Sequence, residues 1–336
     1  MQKTRVIFFE VNSKEKKYLK KKFDKNYDVL FYEDTLSELN SSLISDVEVV
    51  SPFIYSQLTQ DVIKKGKKLK LIATRSTGFN HIDIQTAKAK KISVANVPYY
   101  GENTVAEHTF SMILALSRNL HRAYVRTIRN DFTLDGLQGF DLKGKTLGVI
   151  GAGSIGVHVI KIAKGFGMKV ICFDIKPNHI LTELLDYRYV NLDELLHTSD
   201  IISLHCPYNE HTHHLINMKN IERVKKGALF INTARNGIIE PKALYYAIEK
   251  GIFGGAGLDV FEGEELLKEE NQMLTKNVAV EHLEAILKRN ILLRYENVII
   301  TPHMAFDSVE AVERIMDTTV ENIKAFFESK DYHKVL

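Results

Sequence analysis

The run Gly151-Ala152-Gly153-Ser154-Ile155-Gly156 has the residue types and spacing of a phosphate cradle. Leu147-Gly148-Val149-Ile150 reads as a strand directly before it, and Val159 and Ala163 open a helical period directly after it. In a strand-turn-helix of this kind Gly151 permits the tight turn, Gly153 lets the backbone approach a pyrophosphate, and Gly156 allows helix and strand to pack closely. The helix N-terminus, at Ser154 and Ile155, then faces the anion. The next strand ends at Asp174, eighteen residues after Gly156, where an acid hydrogen-bonds the adenosine ribose hydroxyls and repels the extra phosphate of NADP. NAD is therefore the expected cofactor, although Lys176 nearby pulls the other way.

A cradle needs a parallel sheet beneath it, and two βα series supply candidates. The first has β-type runs at 6–9, 29–32, 47–53 and 69–74, separated by Lys- and Glu-rich segments; the second has six, at 146–150, 169–173, 201–205, 228–232, 255–258 and 298–301. Between them Val105, His108, Met112, Ala115, Leu116 and Leu120 recur at helical spacing, predicting one long helix. Residues 264–298 read as an amphipathic helix with flanking loops. The run 308–327 reads as a final helix whose apolar side needs a core to cover. With 336 residues, two cores are expected. The predicted fold class is α/β: two doubly wound parallel-sheet domains with a cleft between them, residues 1–100 completed by 302–336 and residues 101–301 forming a Rossmann domain.

Composition narrows the function classes. An apolar fraction of 45%, a charged fraction of 26% and only 6 Pro argue against disorder. The 45 basic and 42 acidic residues are spread along the chain. The Lys-rich stretch 14–25 reads as a solvated helix face, so no nucleic-acid partner is expected. Cys172 and Cys206 are the two cysteines, both in apolar segments; this suits a reducing, cytoplasmic setting and no disulfide framework. The first ten residues are too short an apolar stretch for a signal peptide. The longest uncharged run, 146–160, is glycine-rich and shorter than a bilayer span, so no membrane segment is expected.

Over essentially its whole length the sequence resembles the D-isomer-specific 2-hydroxyacid dehydrogenases, and within them the members acting on D-lactate. The residues that carry the likeness are Arg75-Ser76-Thr77-Gly78-Phe79-Asn80-His81-Ile82-Asp83, Asn96-Val97-Pro98-Tyr99-Tyr100, Val105-Ala106-Glu107-His108 and the glycine turn. Further along they are His205-Cys206-Pro207, Asn232-Thr233-Ala234-Arg235, Gly257-Leu258-Asp259-Val260-Phe261-Glu262-Gly263-Glu264 and Thr301-Pro302-His303.

The resemblance implies a flavodoxin-like first domain and a catalytic trio. Arg235 would hold the substrate carboxylate with its planar fork and polarise the C2 carbonyl. His303 would donate a proton to the carbonyl oxygen as hydride arrives. Glu264 would orient the imidazole and favour its protonated form; Glu262 and Glu265 are competitors, and the spacing of five from Asp259 selects Glu264. Thr77 and Gly78 would offer backbone N–H groups to the carboxylate. Phe53, Tyr100 and Phe306 would form an aromatic wall with room for a methyl group. Cys206, Pro207 and Thr212 would lie near the adenine, Asp259 near the nicotinamide or Arg235, and Val105, Thr233 and Ala234 along the cofactor.

His205, Cys206, His211, His213 and His214 lie within ten residues and could suggest a metal site. No metal is expected, because hydride transfer needs no Lewis acid once Arg235 and His303 are present. The implied reaction is reversible hydride transfer between NADH and pyruvate, in a homodimer joined through the 105–120 helix. Glyoxylate, hydroxypyruvate or phenylpyruvate reduction is the alternative substrate reading, and a non-catalytic NAD-sensing protein the alternative class.

Overall fold

Short β-branched and aromatic runs become five parallel strands in the N-terminal part: β1 Thr4–Phe8, β2 Tyr27–Phe31, β3 Val49–Ser51, β4 Leu71–Ala73 and β5 Ser93–Ala95. Their order, β2-β1-β3-β4-β5, is the flavodoxin-like one. The computed structural model describes residues 3–261 and 290–335, and the chain divides into two units, residues 1–100 with 308–336 and residues 101–307.

In the first unit helices α1 (Ser13–Lys22), α2 (Gln60–Lys65) and α3 (Ile84–Ala89) connect the strands. α1 starts in a capping box: the Asn12 side chain accepts from Lys14 N and Glu15 N, and the Glu15 carboxylate accepts from Asn12 N. Its lysines form an exposed face ending in Lys20, Lys21 and Lys22, where positive charge suits the helix dipole. The last helix, α10 (Val309–Phe327), belongs to this unit. Its Met316, Val320 and Ile323 are buried with Val6, Phe8, Leu71, Ala73 and Ala95, each large side chain contributing about 1.5–3 kcal/mol. β5 was not expected, because Ser-Val-Ala is too short to carry a period.

The second unit holds seven parallel strands: β6 Thr146–Ile150, β7 Lys169–Phe173, β8 Arg188–Tyr189, β9 Ile201–Leu204, β10 Ala228–Asn232, β11 Phe253–Leu258 and β12 Val298–Ile300. Their order is β12-β11-β10-β9-β6-β7-β8, a doubly wound Rossmann sheet whose direction of winding reverses between β6 and β9. Helices α4 (Glu102–Ser117), α5 (Leu120–Thr127), α6 (Ser154–Gly165), α7 (His179–Leu185), α8 (Leu192–Thr198) and α9 (Pro241–Glu249) accompany it. Two cores form: one joins α4 and α6 to Leu147, Val149 and Ile231, the other joins α8 and α9 to Phe230, Phe253 and Leu258. β8, two residues at the sheet edge, escaped the sequence pattern for the same reason as β5.

The single long helix expected over 105–120 is two. α4 ends at Ser117, Asn119 takes a left-handed conformation with φ 51°, and α5 departs from there. Asparagine tolerates this region, and the Asn119 carboxamide donates to Leu137 O at 3.4 Å and Gln138 O at 3.2 Å. The helix expected over 264–298 falls largely outside the described residues. No helix among the described residues is long and apolar enough to cross a membrane.

Candidate active site

The glycine turn sits where the sheet reverses. β6 ends at Ile150 and β9 at Leu204, register partners in neighbouring strands, so Gly151 and His205–Cys206 continue side by side beyond the sheet edge. Gly151 has φ 95°, and a Cβ there would lie 2.6 Å from Cys206 N; at Gly156 a Cβ would meet Gly151 O at 2.1 Å. Both positions exclude any side chain. Gly153 differs: a Cβ on it would meet nothing within 4 Å, and as the N-cap of α6 it supplies no capping side chain. Gly153 and Ser154 are exposed and Ile155 half-buried. The turn therefore offers open space at uncapped helix N–H groups, which fits the pyrophosphate of a dinucleotide.

Asp174, one residue past β7, is already engaged with the turn. Its Oδ2 accepts from Ala152 N at 2.8 Å and its Oδ1 from Lys176 N at 2.8 Å. A carboxylate has about four acceptor sites, so lone pairs remain for ribose hydroxyls.

Arg235 and His303 arise from one row of the sheet. Asn232, Leu258 and Ile300 are register partners across β10, β11 and β12, so Arg235 and His303 each stand three residues beyond the same level, with Asp259 beginning the turn between them. The turn under Arg235 is fixed by Asn232, whose Nδ2 donates to Arg235 O at 2.9 Å and whose Oδ1 accepts from Ala234 N at 3.0 Å. The half-buried guanidinium donates from Nη1 to Ala234 O at 2.7 Å and forms no ion pair among the described residues.

Asp259 is fully buried. Its Oδ1 accepts from Thr301 Oγ1 at 2.5 Å and Met304 N at 2.9 Å, its Oδ2 from Ala305 N at 2.9 Å, and its carbonyl accepts from His303 N at 3.0 Å. Burial alone would raise its pKa, but the hydrogen bonds from His108, Thr301, Ala305 N and Met304 N outweigh it and hold the carboxyl below its usual value. The turn so gripped places His303 at φ 53°, a conformation that costs a non-glycine residue about 1 kcal/mol or more. Asp259 thus anchors the histidine turn.

In the first unit the Thr77–Gly78 loop is tied down from its other side. Thr77 Oγ1 donates to Val97 O at 2.7 Å, Asn96 Nδ2 to Thr77 O at 2.8 Å, and Ser76 Oγ to Gly78 O at 2.7 Å. These contacts leave the backbone N–H groups of exposed Thr77 and half-buried Gly78 as the loop's available donors. Phe53 is half-buried, its N donating to Glu10 Oε1 at 3.1 Å, with the buried Arg75 guanidinium 5.6 Å from its ring. Tyr100, also half-buried, accepts at its carbonyl from Arg314 Nε at 2.5 Å. Phe306 is half-buried in the second unit.

The remaining candidates are spread along the same sheet edge. Val105 is 6% exposed and faces inward on α4. Thr233 is buried, its Oγ1 3.0 Å from Thr109 Oγ1, and Ala234 is half-buried. Thr212 donates to Pro207 O at 2.6 Å, closing the 207–212 turn. Burial pushes the Cys206 thiol up to about 11, so it stays protonated, and pushes the His205 imidazole, 2.7 Å from Ser203 Oγ, down to about 3. His213 bonds Tyr208 Oη through Nδ1 at 2.9 Å and stacks on His214 at 3.8 Å. Among the described residues no group of three His, Cys, Asp or Glu could hold a metal ion. Glu264 lies outside the described residues. The sequence reading missed His108 and Thr301 as partners of Asp259, since neither is near it in the chain.

Residues 110–305 match the model of the D-isomer specific 2-hydroxyacid dehydrogenase, NAD binding domain. The D-lactate dehydrogenase of Escherichia coli is 36% identical over 322 residues, 95% of either chain. An aromatic 2-oxoacid reductase of Clostridium sporogenes is 39% identical over 261 residues, 77% of this chain and 76% of its own. A crystal structure of the Aquifex aeolicus D-lactate dehydrogenase complexed with NAD and lactic acid superposes with a TM-score of 0.87 at 40% identity, covering 96% of each chain. The chain belongs to the D-isomer specific 2-hydroxyacid dehydrogenase family. It is an NAD-dependent oxidoreductase of small 2-hydroxy and 2-oxo acids.

Proposed function

We propose that the chain interconverts pyruvate and D-lactate. The observation that carries this reading is the common row beneath Arg235 and His303, each of which follows its strand by three residues from one level of the NAD-binding sheet. When bound at the Gly151–Gly156 turn, NADH supplies the hydride that C2 receives.

Arg235 binds the substrate carboxylate through its guanidinium, which also draws electron density from the C2 carbonyl. To the same carboxylate we assign the N–H groups of Thr77 and Gly78. His303 gives its proton to the carbonyl oxygen as C2 becomes tetrahedral, and takes it back from the hydroxyl in the oxidative direction. Glu264 we assign to the support of His303. Ser154 and Ile155 N–H groups hold the pyrophosphate and Asp174 the adenosine ribose, with Cys206, Pro207, Thr212, Thr233, Ala234 and Val105 alongside. Phe53, Tyr100 and Phe306 restrict the C3 end of the substrate; we assign the first unit to substrate binding.

The similarity to the Escherichia coli and Aquifex aeolicus enzymes supports lactate. The Clostridium sporogenes relative favours a second reading, an aromatic 2-oxo acid. Steady-state NADH oxidation with pyruvate, hydroxypyruvate, glyoxylate and phenylpyruvate separates them: the highest kcat/KM with pyruvate is expected, and a phenylpyruvate value above it overturns the assignment.

We also propose a homodimer in the cytoplasm, the latter consistent with the two free cysteines. Of the 105–120 segment expected to form the dimer surface, Phe110, Met112 and Ile113 are at most 3% exposed, whereas Leu120 at its end is 63% exposed. The exposed apolar face belongs to α5 and the segment after it: Leu120, Tyr124, Ile128, Phe132 and Leu134.

A further inference from the structure

Two polar side chains reach Asp259 from elements remote in sequence. Thr301, just past β12, places Oγ1 at 2.5 Å from Asp259 Oδ1. His108, on α4, places Nε2 at 3.2 Å from Thr301 Oγ1 and 3.5 Å from Asp259 Oδ1. His108 is 16% exposed at its side chain and Asp259 1%.

The chemistry of the three groups fixes the direction of the bonds. Asp259 stays ionised, and an ionised carboxylate only accepts. Thr301 therefore directs its single hydroxyl proton to Asp259 Oδ1. Its oxygen can then meet His108 Nε2 only as an acceptor, so Nε2 must carry a proton. The result is a one-way series of donors: His108 Nε2–H to Thr301 Oγ1–H to Asp259.

The series ends on a turn under strain. Asp259 holds Met304 N and Ala305 N through its carboxylate and His303 N through its carbonyl, while His303 stands at φ 53°. A rotor at Thr301 without a donor behind it could turn away from Asp259, and the carboxylate would lose the contact that fixes its plane. The neighbouring Thr109 is anchored likewise: its Oγ1 donates to Val105 O at 2.8 Å, so Thr233 Oγ1 must donate to it at 3.0 Å. One turn of α4 thus grips the ends of both β10 and β12.

We infer that His108 and Thr301 are positioning residues for the reaction, holding the His303 imidazole at its working angle through Asp259. The inference rests on His303 being the general acid of the proposed reaction.

Four variants of the full chain test it, Thr301→Val, Thr301→Ser, His108→Leu and His108→Gln, with kcat for pyruvate reduction and NADH affinity by fluorescence measured for each. Thr301→Val and His108→Leu should lower kcat about tenfold or more with NADH affinity within about twofold of wild type, since small misplacements of a reacting group carry losses of that order. Thr301→Ser keeps the hydroxyl and His108→Gln keeps a donor, so both should recover most of the rate. Unchanged kcat in the Val and Leu variants overturns the inference, as does a loss that Ser and Gln fail to rescue, or a parallel loss of NADH affinity.

Nitrogen-detected NMR of the wild-type imidazoles provides a test independent of any variant. A proton on His108 Nε2 near neutral pH supports the series, and a proton on Nδ1 alone overturns it. The parent reading fails separately, when wild type does not reduce pyruvate or His303→Gln reduces it as well as wild type does.

Discussion

The carboxylate of Asp174 accepts the backbone N–H of Ala152 at 2.8 Å. The acid at the end of β7 is thus joined to the middle of the glycine turn. The same carboxylate that shapes the turn is the group we propose to repel a ribose phosphate. Asp174→Asn keeps a carbonyl oxygen for Ala152 and removes the charge. It should narrow the preference for NAD over NADP by about tenfold, equivalent to about 1.4 kcal/mol. Asp174→Ala should in addition weaken both cofactors. Comparison of kcat/KM with NADH and NADPH checks this; an unchanged ratio in both variants places the discrimination elsewhere.

Gly153 and Gly156 of the turn should separate by position. Gly153→Ala adds a methyl to open space, so the melting temperature should stay within about 1–2 °C of wild type while the NADH dissociation constant rises about tenfold. Gly156→Ala would drive Cβ to 2.1 Å from Gly151 O. It should instead destabilise the second unit by about 3 kcal/mol or more, within the range for overpacking and backbone strain. Thermal unfolding and NADH titration together decide between the two patterns.

Asp259 should make folding sensitive to acid. Its folded-state pKa is below the ordinary value: burial raises it, and the hydrogen bonds it accepts lower it further than that. The stabilisation is therefore complete above its unfolded pKa of about 4 and fades as pH falls through the depressed folded value. Asp259→Asn, which opposes a donor to one of the turn N–H groups, should cost about 1–3 kcal/mol at pH 7. In urea unfolding the gap between wild type and variant should shrink toward pH 3. A gap constant across that range contradicts the assignment.

The apolar stripe of α5 gives the oligomer prediction. Leu120, Tyr124 and Ile128 recur every four residues, and Leu134 beyond them is 83% exposed. Tyr124→Glu combined with Leu134→Glu should halve the mass seen by light scattering without lowering helix content. A variant that keeps the wild-type mass, or a wild type that is already monomeric, rules this surface out.

Much of the candidate site was legible because it is local. A glycine turn between one strand and one helix is written in six consecutive residues, and Arg235 and His303 each follow a strand whose apolar run ends a few residues earlier. Parallel winding follows from the alternation of short β-type and longer helical runs, which the sequence carries without help from distant residues. What Asp259 does was not legible. Its donors Thr301, Met304 N and Ala305 N lie 42 to 46 residues away, and His108 lies 193 residues from Thr301, separations over which no spacing rule operates. The break at Asn119, the edge strands β5 and β8 and the apolar stripe left open on α5 belong to the same group. Periodicity shows that a side chain is apolar at helical spacing, but burial depends on which surface folds over it, and only the three-dimensional packing determines that.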